Sequence, residues 1–254
     1  MATASLAARL RAGETLISAW SAIPEPLVAE AIARLGFDCV TLDMQHGLHD
    51  TRSIQQSIGS VTAAGKPAVV RVPISDNAFA SRALDMGAQA VIAPMINSVA
   101  DARAFVAAMK YPPIGERSWG PNRAMVLSGK APAAQLSTSN AETFAFAMIE
   151  TVEALAALED ILVVAGVDGV FIGPSDLSVT LSRGARIAPD ADDLGPVIRR
   201  ISQAAEATGK VAGAYVPNPR RAKVCRDLGC RFLALGSDQA YLAAGATAML
   251  DALR

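Results

Sequence analysis

A (β/α)8 barrel is the fold class that the 254-residue sequence predicts, on three observations. Eight short runs of apolar or β-branched residues recur along the chain with helical patterning between them, the signature of βα units and a parallel sheet. Several runs are introduced alike. Leu35-Gly36-Phe37-Asp38, Met86-Gly87-Ala88-Gln89, Ala165-Gly166-Val167-Asp168 and Leu228-Gly229-Cys230-Arg231 each put glycine where a helix would end in a left-handed turn before a strand begins. Finally, eight such units in about 250 residues match the size of one barrel. No linker divides the chain, so residues 1–254 are expected to form a single domain.

In order, a short amphipathic helix capped near Gly13 is expected first, then strands at 15–20, 38–43, 67–72, 90–94, 143–149, 168–173, 210–215 and 231–236. The first run, Thr15-Leu16-Ile17-Ser18-Ala19-Trp20, and the third, Pro67-Ala68-Val69-Val70-Arg71-Val72, are rich in the residue types that favour a pleated, buried surface. Segments 110–142 and 174–192 are longer than a crossover needs. Both follow strands, so both are expected on the C-terminal face, where barrel enzymes build their sites. A doubly wound sheet is the competing architecture. Its Gly-rich fingerprint is missing: the first strand runs into Trp20-Ser21-Ala22-Ile23-Pro24, and no Walker loop occurs elsewhere.

Composition narrows the function. Hydrophobic residues make up 52% of the chain and mean hydropathy is +0.31, ample for a sizeable core. Lys+Arg total 23 against 24 Asp+Glu, without the basic excess that phosphate backbones require, so nucleic acid is not expected as a partner. No apolar run approaches the ~20 residues that span a bilayer, so no membrane partner is expected either. The stretch Met1–Arg11 has the Ala/Ser/Arg flavour of a transit peptide but lacks a secretory apolar region. Three cysteines, Cys39, Cys225 and Cys230, form no C-x-x-C pair, which suits buried thiols in a reducing, cytoplasmic setting.

Both histidines of the chain, His46 and His49, follow the second strand beside Asp43 and Asp50. Histidine titrates near neutrality, so this clustering points to proton transfer or metal binding. Three residues separate Asp43 from His46, close enough for the carboxylate to hold the imidazole as a general base. His49 is the weaker case: H-x-x-H without a Glu or cysteine partner is not a zinc pair. The other strand ends carry Trp20, Arg71, Pro94, Glu150, Gly173, Pro174, Asp176, Tyr215, Gly236 and Ser237. Glu150 and Asp176 end consecutive strands. Two hard oxygen ligands, completed by water and substrate, suit an octahedral divalent ion; the competing reading makes each an acid at a helix N-terminus. Arg71 ends an apolar run, where a planar guanidinium suits a carboxylate or a developing enolate oxygen; a structural ion pair is its alternative. No lysine ends any strand, and Lys66 and Lys210 precede strands, which argues against a Schiff base.

Taken together, Asp43-Met44-Gln45-His46-Gly47, Arg71-Val72-Pro73, Tyr111-Pro112-Pro113-x-Gly115-x-Arg117, Ile149-Glu150-Thr151 and Gly169-Val170-Phe171-Ile172-Gly173-Pro174-Ser175-Asp176-Leu177-Ser178 resemble the HpcH/HpaI family of metal-dependent, class II pyruvate aldolases over nearly the whole chain. The resemblance implies a barrel of the phosphoenolpyruvate/pyruvate superfamily whose last helix, about 238–252, is exchanged between subunits of a hexamer. It implies reversible aldol cleavage of 4-hydroxy-2-oxo acids to pyruvate, or a related 2-oxo acid, and an aldehyde. Glu150 and Asp176 then correspond to ligands of Mg2+, Mn2+ or Co2+, Arg71 to the pyruvate-binding arginine, and Asp43 with His46 to an acid/base dyad. By the same resemblance, Gly173, Pro174 and Ser175, with Trp20, are expected to line the substrate, and the backbone of Ser175 and Asp176 resembles the family's substrate-carboxylate site. Three departures stand out: Met148 where the family often has Gln, Gln45 for a common acidic residue, and Arg117–Arg123 for a more Gly-rich loop. The nearest alternatives are a related metal-dependent CoA-ester lyase or oxaloacetate decarboxylase, and a non-catalytic barrel that binds carboxylates.

Overall fold

The structure, a computed structural model, describes residues 5–254; the first four residues of the Met1–Arg11 stretch lie outside it. Eight parallel strands close into a barrel in sequence order. They are β1 (Leu16–Ser21), β2 (Cys39–Asp43), β3 (Ala68–Arg71), β4 (Ala90–Ala93), β5 (Phe144–Ile149), β6 (Gly169–Ile172), β7 (Val211–Val216) and β8 (Phe232–Leu235). No strand end differs from the sequence expectation by more than one residue. Closure runs through β8 against β1, from Phe232 opposite Leu16 to Leu235 opposite Ala19.

Helices α2 (Pro26–Ala33), α3 (Thr51–Ala63), α4 (Asn77–Met86) and α5 (Val99–Met109) cross between the first five strands. Then come α6 (Asn122–Ser128), α7 (Pro132–Glu142), α8 (Val152–Ala156), α9 (Leu158–Leu162), α10 (Pro174–Leu181), α11 (Gly195–Ala207), α12 (Pro219–Asp227) and α13 (Asp238–Asp251). Asp50, Asp76, Ser98, Thr151, Asn218 and Ser237 cap α3, α4, α5, α8, α12 and α13, each accepting an otherwise orphaned first-turn amide. Of the four glycines expected in left-handed turns, Gly87, Gly166 and Gly229 have φ of +110°, +93° and +105°; Gly36 does not adopt one.

Strand alternation sorts the core into two layers. Val40, Leu42, Val70, Val91, Ala145 and Val170 face the helices. Their neighbours Cys39, Val69, Ile92, Phe146, Phe171 and Phe232 fill the barrel interior, and Leu6, Ala7 and Leu10 of α1 (Leu6–Arg11) close its lower end. Ring stacking dominates that interior: Phe144 and Phe146 lie 4.5 Å apart, and Phe146 and Phe232 5.0 Å apart. Space for the rings comes from two inward glycines. A Cβ on Gly169 would lie 3.0 Å from both Phe144 and Phe146, and one on Gly213 would lie 3.1 Å from Phe171. Cys39, Cys225 and Cys230 are free and buried, as expected.

One expectation is overturned. Segment 110–142 does not stand on the C-terminal face: α5 has already carried the chain back to the lower rim, so residues added after it remain there. Lys110 fixes the segment. Its buried ammonium donates to the carbonyls of Asn140 (3.0 Å) and Thr143 (2.6 Å) and pairs with Asp168 (2.7 Å) just before β6. Arg11 of α1 reaches the other oxygen of Asp168 at 2.7 Å. Arg117, in the loop that departs from the family pattern, pairs with Asp85 at 2.6 Å, also far from the strand C-termini. Segment 174–192 does follow β6 directly, as expected.

Breaking one half of a buried pair leaves the other charge uncompensated and costs about 3–5 kcal/mol. Asp168→Ala is therefore expected to lower unfolding stability by that order in urea titrations. An unaltered unfolding midpoint would mean that the carbonyls of Asn140 and Thr143 alone satisfy Lys110.

Candidate active site

Each strand's inward phase continues one residue past the aromatic floor, and there the chemistry begins. Leu16, Ser18 and Trp20 share one phase of β1, as do Cys39, Thr41 and Asp43 of β2, and Phe144, Phe146 and Met148 of β5, which points Glu150 the same way. The result is a cavity of about 260 Å³ at the strand C-termini. It is lined by Trp20, Asp43, His46, Arg71, Glu150, Gly173, Pro174, Ser175 and Asp176, with Ala22, Met148, Phe171, Tyr215 and Ser237. All nine site residues expected from sequence thus share one chamber. A larger, open groove of about 820 Å³ between α2 and α3 holds no comparable convergence of strand-end groups.

Asp43 and Arg71 are directly opposite in the β2–β3 register, and their side chains form a fork-to-fork pair. Arg71 donates from Nε to Oδ1 at 2.8 Å and from Nη2 to Oδ2 at 2.6 Å. Trp20 stabilises both members: its ring centroid lies 4.8 Å from the guanidinium carbon, and its indole N–H donates to Asp43 Oδ2 at 3.3 Å. The backbone amides of Gln45 and His46 also donate to Asp43, at 3.0 and 3.4 Å. Burial opposes ionisation of Asp43, but the hydrogen bonds and charge of Arg71, with the two amides, outweigh it and hold the carboxyl below its usual range.

This corrects the expected dyad. Asp43 holds the His46 backbone, not its imidazole; among the described residues the ring has no hydrogen-bond partner and is exposed at the cavity wall. The separation of three residues brings the chain back over the carboxylate as a turn, so amides, not the ring, reach it. His49 turns away from the cavity. It is buried between Ser21 (Nε2 to Oγ, 3.1 Å) and Ser53 (Nδ1 to Oγ, 3.2 Å), and burial lowers its pKa despite nearby Asp238, Asp43 and Asp50.

Across the cavity, Glu150 is 1% exposed. Its Oε1 accepts the backbone amide of Met95 at 2.8 Å, whereas Oε2 has no partner among the described residues. Burial pushes its pKa up to about 7, opposed by the Met95 amide and reinforced by Asp176. Gly173 makes room for it, since a Cβ there would lie 2.2 Å from Glu150 Oε2. Asp176 stands in the first turn of α10, whose cap, Gly173, supplies no side-chain hydrogen bond. The first-turn amides of Ser175 and Asp176 therefore border the cavity as anion-favouring donors. Among the described residues, no group of three His, Cys, Asp or Glu side chains gathers at one point. Two carboxylates with an orphaned buried oxygen nevertheless fit a divalent cation whose other positions belong to water or substrate oxygens.

Sequence reasoning passed over one contributor. Asp238, buried at the start of α13, accepts from Ser21 Oγ (3.1 Å) and from the amides of Ala22 and Ile23 (both 2.8 Å), fixing the loop that carries Ala22 into the wall. Its position right after Ser237 at a strand end was the available signal. Tyr215, already noted at a strand end, stands edge-on to Trp20 at 5.4 Å and closes another side.

The family model for HpcH/HpaI aldolase/citrate lyase matches residues 16–244. A hydroxypyruvate/pyruvate aldolase of Rhizorhabdus wittichii is 36% identical over 234 residues, covering 92% of each chain. A 4-hydroxy-2-oxovalerate aldolase of Novosphingobium aromaticivorans is 35% identical over 243 residues, 95% of this chain and 91% of that one. Among solved structures, the HpcH/HpaI aldolase of Desulfitobacterium hafniense superposes with a TM-score of 0.88 at 27% identity, over 99% of this chain and 97% of that one.

The lowered pKa of Asp43 has a defined sign in stability. A carboxyl depressed in the folded state stabilises the protein above its unfolded pKa of about 3.9, and that contribution disappears as pH falls through the folded value. Asp43→Asn is expected to flatten the acid limb of a plot of urea midpoint against pH below about 4, where the wild-type contribution is lost. A limb as steep as that of the wild type would assign acid lability to other carboxylates.

Proposed function

Because this chain belongs to the HpcH/HpaI aldolase/citrate lyase family, we propose that it is a class II pyruvate aldolase acting on a 4-hydroxy-2-oxo acid, with pyruvate or a closely related 2-oxo acid as one product. The observation that carries this reading is the orphaned oxygen of Glu150, beside Asp176, in one small chamber with the Arg71–Asp43 pair. A cavity of about 260 Å³ suits two small carbonyl compounds; sites for drug-sized ligands run to about 300–1,000 Å³.

Glu150 and Asp176 are the residues that would hold the divalent metal. When bound there, Mg2+, Mn2+ or Co2+ supplies Lewis acidity that makes the C3 protons of the 2-oxo acid easier to remove. The amides of Ser175 and Asp176 bind the substrate carboxylate at the start of α10. In the synthetic direction His46, exposed at the wall with a free ring, accepts a C3 proton. Negative charge then moves onto the keto oxygen. Arg71 stabilises it with guanidinium donors left over from Asp43, while Asp43 and Trp20 prevent the guanidinium from swinging away. Carbon C3 bonds to the aldehyde carbonyl, and His46 returns its proton to the new alkoxide, giving the 4-hydroxy-2-oxo acid. Cleavage reverses each transfer. Trp20, Tyr215, Phe171 and Met148 supply walls that keep bulk water from the enolate.

Helix α13 supports a further part of the proposal. Leu242, Met249, Leu250 and Leu253 on or just beyond it are more than half exposed. An apolar helix face of this kind is what a homo-oligomer covers, and exchange of α13 within a hexamer is the assembly proposed. No helix among the described residues is long and apolar enough to cross a membrane.

Exchange of pyruvate methyl protons with D2O, followed by NMR, tests enolisation without knowledge of the aldehyde. Chelation is expected to abolish exchange, and Mg2+, Mn2+ or Co2+ to restore it; full exchange in chelator, or trapping of pyruvate by borohydride, would replace the reading with Schiff-base chemistry. His46→Ala is expected to slow aldol turnover by about 10²–10⁴-fold, the range for a positioned acid/base, whereas His49→Ala changes it far less. Equal losses would give the two histidines a joint role. Arg71→Lys keeps charge but loses the fork, and losing a donor aimed at developing negative charge costs about 2.7–4 kcal/mol. Exchange and cleavage should therefore slow together. Normal exchange with slow aldehyde addition would move Arg71 to aldehyde positioning.

A further inference from the structure

We propose that Met95 is a positioning residue for the cation site: its left-handed backbone aims its amide at one oxygen of Glu150 and thereby reserves the other oxygen for the cation. The inference rests on the reading of Glu150 as a ligand.

Met95 has a φ of +56°, a region that residues bearing a Cβ rarely enter. Nothing about the residue type favours this conformation, unlike glycine or asparagine. It occurs two residues after β4, immediately following Pro94, where the chain turns outward over the rim. The turn delivers the Met95 N–H to Glu150 Oε1 at 2.8 Å across the β4–β5 boundary. A carboxylate with both oxygens free rotates and chelates in several ways; one with Oε1 tied down presents a single oxygen in a fixed direction. The opposite wall completes the restraint. Gly173 leaves the space that Oε2 occupies, and a Cβ would stand 2.2 Å from that atom. Oε2 is consequently buried, unpartnered and directed into the chamber that Asp176 also lines. Backbone strain at a functional site, held in place by surrounding structure, is the pattern that pre-organisation leaves, and partners that orient metal ligands typically tune affinity by about 10–100-fold.

Only the backbone of Met95 is assigned this role, so side-chain deletion and backbone disfavour should separate. Mn2+ dissociation constants, measured by electron paramagnetic resonance with no substrate present, are to be compared for the wild type, Met95→Gly, Met95→Ala and Met95→Ile, with circular dichroism as the check on folding. Glycine and alanine variants are expected within about two-fold of the wild type. Isoleucine, β-branched and opposed to positive φ, is expected to bind about 10–100-fold more weakly. Wild-type affinity in the isoleucine variant, or equal weakening in all three, would overturn the proposal. A second measurement needs no substitution at Met95. The infrared carboxylate bands of Glu150, assigned in the wild type by difference from Glu150→Gln, are expected to show single-oxygen ligation on Mn2+ loading, and two-oxygen chelation would overturn it. Absence of Mn2+ binding by the wild type would instead defeat the metal reading itself.

Discussion

The aromatic floor of the barrel is the constraint on which the site depends. Phe144, Phe146, Phe171 and Phe232 fill the interior to a fixed height, and Gly169 and Gly213 on neighbouring strands are small because those rings are large. Each strand reaches this floor with a set alternation, so the next inward position can only point into the space above. Trp20, Asp43, Arg71, Met148 and Tyr215 occupy such positions, and Glu150 follows one step beyond β5 in the same phase. A one-residue slip in any strand would turn its functional side chain toward the helices. Packing and catalysis thus share one geometric variable, the register of the closed sheet.

Above the floor, the two sides of the chamber are treated differently. On the β2–β3 side the buried carboxylate is satisfied: Asp43 receives Arg71 twice, Trp20 and two amides. On the β4–β6 side satisfaction is deliberately partial, since Glu150 has one oxygen bonded and the other empty-handed in a buried place. An unmet acceptor in a low-dielectric setting carries a cost that folding alone does not recover. Sites where local consistency fails in this way are where function is expected, and the failure here coincides with the positive φ of Met95.

The strands were legible because period and glycine punctuation agree, and the residues that line the chamber were legible because they stand at or just beyond strand ends. What sequence spacing does not reveal is direction. Asp43 and His46 are neighbours in the chain, but a fixed charge one strand away, held at the right register, takes the carboxylate first. Likewise, segment 110–142 is visibly an insertion, yet only the path of α5 decides that it hangs below the barrel and not above it. Gly36 carries the residue type of a left-handed turn without adopting one, and Met95 adopts the conformation without the residue type. Both are outcomes of closure, which forces the chain through whatever torsions the rim demands.

Helix α1 has a kinetic consequence. With Leu6, Ala7 and Leu10 inserted among the interior side chains, the barrel is sealed at its base, and the chamber is a well with a single mouth. Traffic in such a well is ordered by depth. On the proposed reading, with the oxo acid against Arg71 and the α10 amides and the aldehyde nearer the mouth, cleavage would discharge the aldehyde first and synthesis would load the two in the opposite sequence. That order would make the oxo acid a competitive product inhibitor of cleavage and the aldehyde a noncompetitive one.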